Sequence, residues 1–202
     1  MAVFLLVRHG HNDVLGRRIT GRQPGVDLNA RGRAQAEALA ERLADYGIDF
    51  IFSSPLARAR QTAEPVAARI GIPVQVCEAI NEIAFGEWEG RTLEELAADP
   101  GWQNFNRVRS VTRPPGGELM CEVQARMVGA IEALRVGHPQ SVLALFSHGD
   151  PIKAALAHYM ELPLDFVQRL EVSPASVSVL SVEDWGPGVL GINLTQALPR
   201  VS

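Results

Sequence analysis

The segment FLLVRHGH, residues 4–11, decides the fold of this chain. Its apolar run, Val3–Val7, is too short for a helix and reads as a buried strand. Such strands usually pass into turns rich in Asn, Asp, Ser or Gly. Here the turn holds Arg8, His9, Gly10 and His11, and clustered cationic groups repel one another unless something negative lies between them. The turn reads as a local anion site.

Three further apolar runs read as buried strands: Phe50–Phe52, Val74–Val76 and Val142–Phe146. Helical patterns lie between them. Residues 30–46 follow a candidate N-cap, Asn29, and meet Gly47 where a left-handed cap would sit. Residues 55–70 begin after Ser54 as N-cap, with Pro55 at the first helical position, and stop at Gly71. Residues 151–160 repeat the device with Asp150 and Pro151, and a fourth helix is expected near 119–135. Strands alternating with helices predict a three-layer α/β/α sandwich with a mainly parallel central sheet. The pair Val177–Val182 and Val189–Leu194, joined by EDWGPG, predicts an antiparallel hairpin at one edge.

This map brings chemistry together. Arg8-His9-Gly10, the segment from Ser54 to Arg58, and Ser147-His148-Gly149 each directly follow a strand. In open α/β sheets that is the carboxyl edge, where ligands bind. Helix N-termini there add N–H donors and partial positive charge. Two arginines and two histidines aimed at that edge suit a phosphate, which carries about −1.5 to −2 charge near neutral pH. The charge of Arg8 keeps the adjacent His9 imidazole neutral and nucleophilic. Arg60 is expected in solvent. His11, His138 and His158 read as structural or surface histidines, and His9 with His11 lacks the companions of a metal site. Four acids crowd residues 78–89, and the residues alone do not choose among Glu78, Glu82, Glu87 and Glu89.

Composition sets the frame. A chain of 202 residues, 47% hydrophobic, buries roughly 70% of its unfolded surface, and a single domain over 1–202 is expected. A net charge of −4 argues against nucleic acid or an anionic membrane as partner, so any anion site is local. No apolar run approaches the roughly 20 residues of a membrane span. Val3–Val7 is shorter than a signal-peptide core and lacks a basic region before it. Two cysteines, Cys77 and Cys121, form no disulfide framework, which points to the cytoplasm. Of 19 basic residues only Lys153 is lysine.

LLVRHGH resembles the signature of the histidine phosphatase superfamily, which includes the cofactor-dependent phosphoglycerate mutases. The likeness continues, in the family's order, through TGRQPGVDLNARGRAQAEALAERL, SSPLARARQTA, NEIAFGEWEG, PPGGE and SHGDPIKAAL. It is closest to the small bacterial phosphatase or phosphomutase branch. The resemblance implies a phosphoglycerate mutase-like fold and a histidine acid-phosphatase-type phosphomonoesterase. It also implies roles: His9 as the phosphorylated nucleophile, Arg8, Arg58 and a protonated His148 around the phosphate, and Glu82 as proton donor to the leaving group. Gly10 would fix the ring of His9 through its carbonyl, Gly149 would face the phosphate through its amide, and Thr20 and Gly21 would border the substrate. His11, Asn12 and Leu15 depart from the family's usual residues, at the edge of the substrate pocket.

The expected reaction is metal-independent hydrolysis of a small phosphorylated metabolite through a phosphohistidine, with no cofactor. The arginines and imidazolium supply the positive charge that magnesium supplies elsewhere. The alternatives are a phosphomutase, with Arg107, Arg109 and Arg113 as cations for a second anionic group, and a non-catalytic phosphate-binding module. The partner expected is the small substrate, with a homodimer kept open.

Overall fold

The computed structural model describes residues 1–196 and 198–199. Residues 197 and 200–202, which the single-domain expectation over 1–202 includes, lie outside the described residues. The strands are β1 (Ala2–Arg8), β2 (Phe50–Ser53), β3 (Val74–Val76), β4 (Val142–Ser147), β5 (Val177–Glu183) and β6 (Gly186–Leu194). The helices are α1 (Ala30–Leu43), α2 (Ala57–Ile70), α3 (Leu93–Ala97), α4 (Pro100–Arg107), α5 (Met120–Gly137) and α6 (Gly149–Tyr159). The strands form one sheet in the order β3-β2-β4-β1-β5-β6. β1, β2, β3 and β4 run parallel, while β5 pairs antiparallel with both β1 and β6. The edge hairpin is therefore present, with β6 starting three residues earlier than the apolar pattern suggested.

The unbroken apolar character of β1 follows from burial on both faces of the sheet. Phe4 and Leu6 pack with Met127 and Ile131 of α5 and Ile152, Ala155 and Leu156 of α6. Val3, Leu5 and Val7 point the other way, against Leu39, Ala40 and Leu43 of α1 and Ala63 and Val66 of α2. Burying each large side chain contributes about 1.5–3 kcal/mol. A third apolar cluster joins Ile83, Phe85, Trp88, Leu96 and Phe105 to Met120 of α5 and Ala154 of α6. It fastens the segment between β3 and α5 to the helical layer.

Three helix boundaries differ from expectation, two of them where a polar group has another task. α1 keeps its Asn29 cap, whose side chain accepts from the Gly32 N–H at 2.9 Å, but ends at Leu43. α2 starts at Ala57, not 55, with Leu56 as N-cap and no side-chain cap bond; Ser54 Oγ accepts from the Leu56 N–H at 3.3 Å and also bonds the His148 ring at 2.8 Å. α6 starts at Gly149 with His148 as N-cap, while Asp150, the expected cap, pairs with Arg109 at 2.8 Å. The Gly71 cap of α2 is present: Gly71 adopts φ 75° and donates its N–H to the Ala67 carbonyl.

Candidate active site

Register places the site. Arg8 stands opposite Ser147 across the parallel β1–β4 ladder, and Ser53 stands opposite Phe146 across β2–β4. The next residue of each strand is then His9, His148 and Ser54, side by side at the carboxyl edge. The His9 N–H donates to the Ser147 carbonyl at 3.0 Å, and the rings of His9 and His148 lie 5.2 Å apart between centroids.

His9 is buried, and its Nδ1 lies 2.7 Å from the Gly10 carbonyl. A carbonyl only accepts, so Nδ1 carries the hydrogen and Nε2 keeps its lone pair whenever the ring is neutral. The ring is neutral in this site: burial, then Arg58, then Arg8 hold its pKa well below the usual histidine value. The turn itself is latched by Thr62, whose hydroxyl accepts from the Gly10 N–H at 2.9 Å and donates to the Arg58 carbonyl at 2.7 Å. Across it runs the start of α1. A Cβ on Gly10 would lie 2.7 Å from the Gly32 carbonyl oxygen, and one on Gly32 would lie 2.0 Å from that of His11. Two glycines are needed for that approach.

Each pocket arginine is anchored through one terminal nitrogen. Arg8 Nη1 donates to the Val172 carbonyl at 2.6 Å, and Arg58 Nη2 donates to the Gly21 carbonyl at 2.8 Å. The Nε of each has no partner among the described residues, which leaves fixed guanidinium donors uncommitted beside the two imidazoles. Arg58 is 1% exposed; Arg60, on the same helix, is exposed as expected. Gly149 is the first residue of α6, so its N–H is one of that helix's free donors, and a Cβ there would lie 3.5 Å from the Arg8 guanidinium carbon. Thr20 is half-buried, its carbonyl accepting from the Gln23 N–H at 2.8 Å, and Gly21 serves Arg58 through its carbonyl.

His148 is fully buried. Its Nε2 shares a 2.8 Å hydrogen bond with Ser54 Oγ, and its Nδ1 lies 3.9 Å from Glu82 Oε2. The protonated His148 expected from the sequence belongs to the site with phosphate in it; the protein's own groups disfavour the charged ring. Burial first, then Arg58, His9, Arg8 and Arg126 push its pKa well below the usual value.

The structure separates the four candidate acids. Glu78 and Glu87 are exposed, and Glu89 accepts through Oε1 from the Arg22 and Phe85 backbone N–H groups, both at 3.0 Å. Glu82 alone faces His148, with its side chain 14% exposed. Burial and then the nearby charge of Asp150 raise its pKa to about 7, against the opposing pull of Arg58, the Ile83 N–H and Arg8. A carboxyl with that value holds a proton part of the time at neutral pH and can both give and take one.

Arg109 and Arg113 are committed elsewhere. Arg109, 3% exposed, pairs with Asp150 at 2.8 Å and lies over the Phe105 ring, and Arg113 pairs with Glu122 at 2.6 Å. Arg107 lies exposed on α4 and donates to Asn104 Oδ1 at 3.1 Å. His11 N donates to Gln35 Oε1, and its Nδ1 meets the Asn29 amide at 3.0 Å; Asn12 is buried and accepts from the Val14 N–H. His138 packs on Phe50 at 4.0 Å between ring centroids, and His158 is exposed. The roles of Ser54, Thr62 and Asp150 were not legible beforehand. The only signal was their place beside the strand-end motifs. Among the described residues no group of three or more His, Cys, Asp or Glu side chains could hold a metal ion, and no helix is long and apolar enough to cross a membrane.

A family model for the histidine phosphatase superfamily (branch 1) matches residues 4–195. Phosphoserine phosphatase 1 of Hydrogenobacter thermophilus is 30% identical over 203 residues, covering 96% of this chain and 93% of that protein. Glucosyl-3-phosphoglycerate phosphatase of Mycobacterium tuberculosis is 33% identical over 195 residues, covering 91% and 86%. Some relatives are longer: the chain spans 52% of a bifunctional protein of the same organism, at 35% identity. Among solved structures, a mutant phosphoserine phosphatase from Entamoeba histolytica in complex with phosphoserine superposes with a TM-score of 0.88 at 26% identity, covering 97% of this chain and 98% of that one.

Proposed function

Since this chain belongs to the histidine phosphatase superfamily and is a phosphomonoesterase of that family, we propose that His9 Nε2 attacks the phosphorus of a small phosphorylated metabolite in line with the leaving oxygen. The carrying observation is the buried His9 ring, pinned by the Gly10 carbonyl so that a neutral imidazole presents its lone pair. Arg8, Arg58, the Gly149 N–H and His148 surround the equatorial oxygens, so the dispersed charge of the transition state meets donors already in place. The P–O bond to the leaving group breaks as the N–P bond forms. Glu82 gives its proton to the departing oxygen. Glu82, now a carboxylate, takes a proton from water as that water attacks phosphorus, and inorganic phosphate leaves His9 free. A pKa of about 7 suits both halves of this cycle.

An arriving phosphate dianion reverses the electrostatics at His148, which then takes up a proton and donates to an equatorial oxygen. The two guanidiniums, this imidazolium and the start of α6 supply the positive charge, so the reaction proceeds without a metal or other cofactor. The substrate is a small phosphate ester. Thr20 and Gly21, beside Arg58, border its leaving group. The chain acts as one domain over 1–202 in the cytoplasm, where Cys77 and Cys121 stay reduced, and a homodimer is compatible with this chemistry.

Hydrolysis is favoured over phosphoryl return to substrate because, of the three cations that could hold a second anionic group, Arg109 and Arg113 are paired with Asp150 and Glu122, which leaves Arg107, bonded to Asn104, as the one of the three without an acidic partner among the described residues. The test is a panel of phosphate esters that includes phosphoserine and glucosyl-3-phosphoglycerate. Phosphate release is recorded beside interconversion of 2- and 3-phosphoglycerate, with and without bisphosphate primer. Release from one or two esters without interconversion supports the hydrolase. Primer-dependent interconversion at least about tenfold faster than any release overturns it, since each factor of ten is about 1.4 kcal/mol of barrier.

A further inference from the structure

The backbone that carries Glu82 is tied down by three side chains from distant parts of the chain. Arg126, on α5, donates from Nη1 to the carbonyls of Ala79 at 2.8 Å and Asn81 at 2.7 Å, and from Nη2 to that of Glu82 at 3.0 Å. Arg22 donates from Nε to the same Glu82 carbonyl at 2.8 Å. Glu118 stands between the two arginines. Its Oε2 accepts from Arg22 Nη2 at 2.7 Å and from Arg126 Nη2 at 3.2 Å, and its Oε1 accepts from Arg126 Nε at 3.1 Å. Glu118 Oε2 also accepts from the Ala84 N–H at 3.0 Å. One carboxylate thus orients two guanidiniums, and both guanidiniums end on the carbonyl of one residue.

An ion-pair cluster serving stability alone has no reason to converge on a single peptide group, and exposed pairs contribute little. Here the side chains of Arg22, Glu118 and Arg126 are 35%, 21% and 18% exposed. The convergence also reaches the phosphate side. Arg22 directly follows Gly21, whose carbonyl anchors Arg58, so one turn of chain ties together the pocket arginine and the loop bearing the acid. Charge-assisted bonds of this kind fix geometry more tightly than neutral ones. Proton transfer in the transition state is sensitive to such placement: a misplacement of about 1 Å costs roughly a hundredfold in rate.

We propose that Glu118, together with Arg22 and Arg126, positions Glu82 to protonate the leaving group. These three are positioning residues, acting through the backbone of Glu82. The inference rests on the reading of Glu82 as the proton donor, and the experiment separates the two.

Wild type, E82Q, E118Q, E118D, R22M and R126K are compared on two substrates: the alkyl phosphate that wild type turns over fastest, and p-nitrophenyl phosphate, whose leaving group scarcely needs a proton. E82Q sets the scale, with a loss of about a hundredfold or more on the alkyl ester and a far smaller one on p-nitrophenyl phosphate. For E118Q and R22M, kcat falls about tenfold or more on the alkyl ester and less than about threefold on p-nitrophenyl phosphate, with KM little changed. R126K follows them, and E118D recovers part of the loss. R22M keeps the test alive if E118Q fails to fold, because Arg22 is the most exposed of the three. Equal losses on both substrates, or no loss on the alkyl ester, in E118Q and R22M while E82Q shows the split overturn the positioning role alone. Equal losses in E82Q itself overturn the reading of Glu82.

Discussion

The rings of His9 and His148 stand 5.2 Å apart, tilted by 60°, at the ends of adjacent parallel strands and beside two guanidiniums. With that much positive charge at hand, neither imidazole is favoured to carry a second proton in the free pocket. Both pKa values are pushed down, by burial first and by Arg58 next. An anion between them changes the balance.

That relationship predicts a pH-dependent anion affinity. Sulfate stays a dianion across the working range, so a change in its binding reports on the protein. The bound pocket favours the protonated forms of His148 and Glu82; binding therefore takes up protons, and the dissociation constant falls as pH falls from 8 to 6. Calorimetry in buffers of different ionisation enthalpy should show net proton uptake, reduced in H148Q. A dissociation constant independent of pH would count against proton uptake by His148.

The rate profile carries the signature of Glu82. Its carboxyl, raised to about 7 by burial and Asp150, must be protonated at the start of the cycle, so kcat/KM on an alkyl phosphate declines as pH rises through about 7. E82Q removes that limb. In D150N, loss of the neighbouring negative charge lowers the Glu82 pKa and moves the limb to lower pH. A limb unmoved in D150N would show that burial alone sets the value.

Vanadate, whose five-coordinate form resembles the in-line transition state, is expected to inhibit, and saturating chelator is expected to leave turnover intact. Activity lost to chelator and restored by a divalent ion would overturn the metal-free mechanism.

Gly32 lets α1 cross the catalytic turn, where a Cβ would come 2.0 Å from the His11 carbonyl oxygen. G32A is expected to cost about 1–3 kcal/mol of stability by overpacking against backbone, and to lower kcat by shifting the turn that bears His9. Chemical denaturation beside the rate measures both. A variant within about 0.5 kcal/mol of wild type, the usual range of surface substitutions, would contradict the close approach.

Much of the fold was legible because both faces of β1 are buried, so its residues form one unbroken apolar run, and because each cluster of unusual residues directly follows a strand. The helix starts were less legible. Ser54 and Asp150 have the chemistry of N-caps, but the His148 ring and the Arg109 guanidinium, more than 40 positions away in each case, also engage those side chains, and the helices start at Ala57 and Gly149. How strongly the protein itself disfavours a charged His148 was not legible either: residue type does not reveal that a second imidazole and three guanidiniums share its surroundings. Glu82 stood out from its acidic neighbours only through family resemblance. In the structure, burial and the facing imidazole mark it directly. The clamp of Glu118 on Arg22 and Arg126 spans about half the chain, and no local pattern announces it.

The central claim is that phosphate passes through His9. The most direct measurement is acid- and base-quenched rapid mixing of the protein with a labelled phosphate ester, followed by mapping of the label. A phosphoenzyme that is labile to acid and stable to base, located on His9, formed and lost at rates consistent with kcat and absent in H9A along with turnover, is the predicted result. Turnover with no trapped intermediate, an acid-stable label on Ser54, or an H9A variant that keeps more than a few per cent of activity would contradict the account.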